Sequence, residues 1–185
     1  METDKNRIYG NNKKDLVLWL LYTHLISKIP YRYGNNLRKS VIKKILKNMG
    51  EGVTISTNVK IICPQRISLG DEVGIANNVI LDGRGGLIID DYSIIGFESV
   101  LITSTHNHQE HNKYIRNQGM FHAPIKIGKD VWIGARSVVF PGVKVNNGAI
   151  VGACSLVNKD VDQNAIVGGI PAKFIKNRRN ENLYE

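Results

Sequence analysis

A chain of 185 residues and 20.7 kDa, 42% hydrophobic and 22% charged, has the make-up of one ordinary soluble domain, which excludes disorder and a collagen-like fibre. Its net charge of +9 is spread unevenly: residues 1–50 sum to +8, residues 51–170 to −1 and residues 171–185 to +2. A nucleic-acid reader gathers its cations on one folded surface, often beside base-stacking aromatics, so the near-neutral body excludes DNA and RNA as partners.

The basic segment 1–50 comes first. Its most apolar run, Leu16 to Ile26, is eleven residues long, where a spanning helix needs about twenty, and no small-residue cleavage site follows it. Leu16, Trp19, Leu20 and Thr23 share one face of a helix predicted to start near Asp15. Leu37, Val41, Ile45 and Met49 stripe a second helix, and residues 30–36 join the two. This arm is expected to pack on the body. Alternatively, it presents a basic, Trp-bearing surface to anionic lipid headgroups or a lipid-linked substrate.

From residue 51 to about 170 a six-residue period takes over. Ile55, Ile61, Leu69, Ile75, Leu81, Ile89, Ile95 and Leu101, then Ile127, Ile133, Val139, Val145, Val151 and Val157, recur in phase, with Gly often next and a small or β-branched residue four positions on. Such a hexapeptide pattern predicts an all-β solenoid, a left-handed parallel β-helix. Three short strands form each triangular coil of about eighteen residues, the aliphatics stack inward and glycines ease the corners. Fourteen hexads predict nearly five coils. Two spacings are eight residues instead of six, with Gln65-Arg66 and Gly85-Gly86 as the corner insertions. Between Leu101 and Ile127 an extruded loop, 102–126, carries His106, His108, His111 and His122, four of the five histidines. The pattern fades after Val157 into a polar tail, 171–185, expected to flank the last coil. Cys63 and Cys154 suit neither a disulfide framework nor a metal site and fit a reducing cytosol.

The stretches Thr103-Ser104-Thr105-His106, residues 123–135, Val157-Asn158-Lys159-Asp160 and residues 168–173 resemble the hexapeptide-repeat O-acetyltransferases, especially the maltose and galactoside enzymes and their polysaccharide-modifying relatives. That resemblance covers about residues 50–176. It implies direct transfer of acetyl from acetyl-CoA to a sugar hydroxyl, with His106 as general base. An imidazole of pKa near 6.5 suits proton removal from an alcohol at neutral pH. Asp82 matches the family's active-site carboxylate and is the candidate to orient His106. Asn77, Met120 and Trp132 match positions around the acceptor. Gly134 and Ala135 form the turn whose main-chain N–H faces the oxyanion. Along with Ala153, Asn158, Lys159, Lys173 and Lys176, they mark the coenzyme groove, where lysines suit phosphates.

No metal is implied. The His106–His111 spacing could serve zinc in a β-helix carbonic anhydrase, but the only histidine upstream is His24, in the arm. An antibiotic acetyltransferase and a non-catalytic trimeric scaffold are the rival readings. The family implies a homotrimer that binds the coenzyme and a small-molecule or glycan acceptor where the flat faces of neighbouring β-helices meet. The basic arm favours a cell-surface polysaccharide precursor and a cytoplasmic enzyme that touches the inner membrane face through residues 1–50.

Overall fold

The computed structural model describes residues 12–178, and these form a parallel β-solenoid with a helical arm across one end. Sheet A contains β1 (Asn48–Met49), β4 (Ile67–Leu69), β7 (Leu87–Ile89), β12 (Ile125–Ile127) and β15 (Lys144–Val145). Sheet B runs through β2 (Thr54–Ile55), β5 (Gly74–Ile75), β8 (Ile94–Ile95), β13 (Trp132–Ile133), β16 (Ile150–Val151) and β18 (Ala165–Gly168), and antiparallel β19 (Lys173–Asn177) closes it. Sheet C stacks β3 (Lys60–Ile62), β6 (Ile80–Asp82), β9 (Val100–Leu101), β14 (Val138–Val139) and β17 (Leu156–Val157). A hairpin of β10 (Ser104–His106) and β11 (Met120–His122) leaves the corner between sheets C and A.

Every aliphatic of the hexad series is buried, and each stacks in register on its counterpart one coil away, as in Ile75, Ile95, Ile133 and Val151. The solenoid is longer than the nearly five coils of the hexad count, because atypical residues build both ends. Met49, expected on a helix, pairs with Leu69 in β1 and β4. Beyond Val157, Val161 bridges to Val145 and Val167 pairs with Val151, so a shortened coil continues where the pattern fades.

The corner glycines act differently from expectation. Gly96 and Gly134 do not take positive φ. The left-handed position two residues later is held by non-glycines, Glu98 and Arg136 among them, at φ of 59°. What the glycines supply is close approach. A Cβ on Gly134 would sit 2.5 Å from the Ala153 nitrogen, and one on Gly96 would sit 2.7 Å from that of Ala135.

Helix α1 (Lys13–His24) is capped by Asn12, whose side chain accepts the Asp15 N–H, rather than by Asp15 itself. A short turn at Ile26–Lys28 and Pro30 lead directly into α2 (Tyr31–Ile42), so part of the expected linker is helical. The inward faces also differ from the predicted stripes. Leu18, Trp19, Tyr22 and Ile26 turn inward from α1 and its turn, and Arg38, Ile42 and Ile45 from α2 and its end, leaving Leu16, Leu20 and Leu37 exposed.

The reason is polar. β2 and β3 are the outermost strands of their sheets, and their backbone groups lack a preceding coil. The arm supplies the missing partners. Trp19 Nε1 donates to Ile61 O (2.8 Å), Tyr22 Oη to Val59 O (2.8 Å) and Arg38 Nε to Ile55 O (2.6 Å). Asn35 Oδ1 accepts the Ile55 N–H at 3.1 Å, and Ser27 O accepts that of Asn58 at 2.7 Å. Trp19 therefore faces the solenoid, so the arm's outer surface does not bear it. Among the described residues no helix is long and apolar enough to cross a membrane.

Candidate active site

The hairpin that carries His106 grows from a socket made by the eight-residue spacing before Ile89. Asp82, buried at the end of β6, spends both carboxylate oxygens there. Oδ1 accepts the Arg84 N–H at 3.0 Å, and Oδ2 accepts the Thr103 N–H at 3.2 Å and the Ser104 hydroxyl at 2.9 Å. Arg84 Nη1 donates to Ser104 Oγ at 3.1 Å, and its Nε lies 3.5 Å from Asp82 Oδ1. Gly85 donates its N–H to Thr103 Oγ1 (2.8 Å), and that hydroxyl donates to Asp82 O (2.8 Å). A Cβ on Gly85 would meet Thr103 O at 2.5 Å and Ala123 O at 2.6 Å, so only glycine fits between the two feet of the hairpin.

Asp82 was expected to orient the His106 ring. Its hydrogen bonds instead hold the hairpin root, two residues before His106, because the inserted Gly83 to Gly86 corner brings Thr103 and Ser104 over the carboxylate. Above the root, His106 is exposed and pairs across the hairpin with Met120. The loop beyond is stitched by Gln118, whose Nε2 donates to Glu110 O (2.9 Å) and Lys113 O (2.7 Å). His108, His111 and His122 are exposed as well. Among the described residues no three His, Cys, Asp or Glu side chains gather as a metal group.

The remaining candidates occupy other edges of the prism. Asn77, Ala135 and Ala153 each follow a sheet B rung by two residues and stack at the B–C corner. Backbone bonds run through the column, from Glu98 N to Asn77 O (3.0 Å) and from Cys154 N to Ala135 O (2.8 Å). Gly134 spends its N–H on Val151 O at 2.7 Å, whereas that of Ala135 meets no acceptor among the described residues. Beside this column the Arg136 guanidinium hydrogen-bonds Glu98 at 2.7 Å, which raises its pKa above the usual arginine value. Asn158 and Lys159 lie exposed at the C–A corner, the edge that also carries the hairpin.

Trp132, 53% exposed on the outer face of sheet B, lines a groove of about 470 Å³ with Tyr92, Ile94, Ile150, Ile166 and Lys176. Arg178 closes one end by bonding Asp130 Oδ2 at 2.8 Å. Within one chain, then, the structure joins His106 to Met120, Trp132 to Lys176, and Asn77 to Ala135 and Ala153. It does not join the three groups, because the hairpin corner is the one opposite sheet B. Lys173 shares exposed β19 with Lys176. Sequence reasoning noted Thr103 and Ser104 only as part of the histidine motif and missed their bonds, and that of Arg84, to Asp82, although the long spacing marked that corner; it also missed Tyr92 and Ile94, which read as ordinary coil positions.

A solenoid of stacked hexapeptide coils with a histidine hairpin at one corner defines the class. The bacterial transferase hexapeptide family, six repeats, matches residues 124–159. Galactoside O-acetyltransferase of Escherichia coli K12 is 31% identical over 154 residues, covering 80% of this chain and 72% of that protein. The chain belongs to this family of hexapeptide-repeat acetyltransferases. The putative colanic acid biosynthesis acetyltransferase WcaF of the same strain is 30% identical over 172 residues, covering 91% of this chain and 90% of that one. A galactoside acetyltransferase in complex with coenzyme A superposes with a TM-score of 0.78 at 27% identity, covering 89% of this chain and 78% of that chain. Chloramphenicol acetyltransferase of Klebsiella aerogenes is 60% identical, but over only 52 residues, 28% of this chain and 25% of that one.

Proposed function

We propose that the protein transfers the acetyl group of acetyl-CoA to a hydroxyl of a cell-surface glycan precursor, with His106 as the general base. The observation that carries this reading is the placement of His106: an exposed imidazole on a hairpin whose root is fixed by a buried carboxylate. An imidazole nitrogen takes the hydroxyl proton as the sugar oxygen attacks the thioester carbonyl. The tetrahedral oxyanion accepts the Ala135 N–H, which meets no acceptor among the described residues. As the intermediate collapses, the C–S bond breaks and the imidazolium returns its proton to the CoA thiolate, leaving the sugar ester and free CoA. Asp82 acts as a positioning residue through the hairpin root.

Because His106 and the Trp132 groove sit on opposite sides of one prism, a complete site needs two copies, and a cyclic trimer supplies three such sites. In it, Trp132 and Met120 flank the acceptor and Asn77 bonds it. Ala135 and Ala153 line the pantetheine path, and Asn158, Lys159, Lys173 and Lys176 meet the coenzyme's polar and phosphate groups. The division into arm, solenoid and tail follows these roles. A glycan acceptor is favoured over an antibiotic because the colanic acid relative aligns with 91% of the chain, whereas the chloramphenicol enzyme aligns with 28%. Acetyl-CoA places the reaction in the cytoplasm, and a lipid-linked acceptor places it at the inner membrane face.

Calorimetric titration of acetyl-CoA into wild type and His106→Ala, followed by thiol release against glycans and chloramphenicol, tests the reading. Both proteins bind, and glycan-dependent release falls by about two to four orders of magnitude in the variant. Equal release from both would remove His106 as the base.

A further inference from the structure

Helix α1 is apolar on both sides, and only one side is used by the fold. Leu18, Trp19 and Tyr22 pack on the first coil. The opposite side exposes Leu16 (37%), Val17 (61%), Leu20 (41%) and Leu21 (40%), with Leu25 (62%) just beyond the helix. At about 100° per residue these five occupy one continuous half-turn of the helix surface. Lys13 and Lys14 fall within the same arc at its N-terminal end, both exposed, with His24 near the other end. Asp15, the one acidic residue of α1, lies on the side of Leu18 and Trp19.

We infer that this outer face of α1 docks the enzyme on an anionic lipid surface, lying in the headgroup plane with the aliphatics in the acyl boundary and the lysines on lipid phosphates. The charge pattern selects lipid over a second copy of the chain. Protein interfaces are depleted of lysine at their cores, and a self-complementary patch would bring Lys13 and Lys14 towards cations of its own kind. Aliphatics interspersed with lysines and free of carboxylates are the composition of interfacial helices. The surface also differs from the one that the sequence singles out, since Trp19 faces away from it. This inference does not depend on the catalytic reading.

The test is sedimentation of the full-length protein with vesicles of phosphatidylcholine alone and of phosphatidylcholine with roughly a third phosphatidylglycerol. Wild type partitions onto the anionic vesicles, more weakly as salt rises. A Val17→Glu/Leu21→Glu variant, altered only at exposed positions, loses at least about tenfold in partition coefficient. Lys13→Glu/Lys14→Glu loses the preference for phosphatidylglycerol. Both variants keep the wild-type melting temperature, oligomeric mass and thiol release with a soluble acceptor. Partitioning that is absent in wild type, or unchanged in Val17→Glu/Leu21→Glu, overturns the inference. A drop in oligomeric mass in that variant also overturns it, by assigning the face to a second copy. Vesicle binding without thiol release would sink the catalytic reading alone.

Discussion

His106 and Asp82 divide the work of the site in a way that their substitution separates. Removing the imidazole removes the proposed base, whereas Asp82→Asn leaves the imidazole and weakens its footing. Asparagine at this position replaces one carboxylate oxygen by an amide NH2, which leaves either the Arg84 N–H or the Thr103 N–H without its acceptor, and an orphaned buried donor costs about 1 to 3 kcal/mol. Asp82→Asn is expected to lower kcat by about tenfold while leaving the KM for acetyl-CoA and the pH profile unchanged, because the proposed base, His106, is still present. A shifted pH profile would make Asp82 a direct partner of the imidazole. Gly85→Ala, which crowds Thr103 O and Ala123 O, is expected to show the same split. The hairpin that carries His106 was legible in the sequence because a histidine-bearing loop interrupts a strict period. The partners of Asp82 were not, since Thr103 and Ser104 reach the carboxylate only through the inserted corner.

The arm is an element whose inward face is chosen by backbone chemistry as much as by apolar burial. Its two helices were legible, and their orientation was legible in part: Trp19, Val41 and Ile45 of the predicted stripes face the core, whereas Leu16, Leu20 and Leu37 do not. The first coil needs donors, so Trp19, Tyr22 and Arg38 point inward where a hydrophobic stripe would place aliphatics. Trp19→Ala, which removes a packed indole and its bond to Ile61 O, is expected to cost about 3 kcal/mol in denaturant unfolding. Burial also raises the pKa of the Tyr22 phenol above its usual value, with the neighbouring Arg38 opposing in part. The folded chain keeps a proton that the unfolded chain releases above about pH 10. The Tyr22 contribution is therefore complete below that pH and is lost as pH rises beyond it. Urea midpoints measured across this range are expected to fall more steeply in wild type than in Tyr22→Phe, and parallel slopes would deny Tyr22 the role.

At the scale of the whole molecule, the hexad period made the solenoid legible because each buried aliphatic must meet its counterpart one coil away. The ends were less legible. Met49, Val161 and Val167 build rungs with altered spacing, where turn chemistry and the capping segments outweigh the period. The proposed completion of the site across two copies comes from the family resemblance and not from the hexad period, and it suits a structure that leaves His106 at one corner and Trp132 on the face opposite. The central claim is that catalysis joins the hairpin of one copy to the sheet B face of its neighbour. Co-expression of His106→Ala with Trp132→Ala, each tagged so that mixed trimers can be purified, tests it most directly. Both homotrimers are expected to be impaired, and the purified mixed trimers are expected to restore about a third of wild-type thiol release, because one of the three interfaces in each pairs an intact histidine with an intact tryptophan. No recovery above the two parents would contradict the account and return the whole site to a single chain.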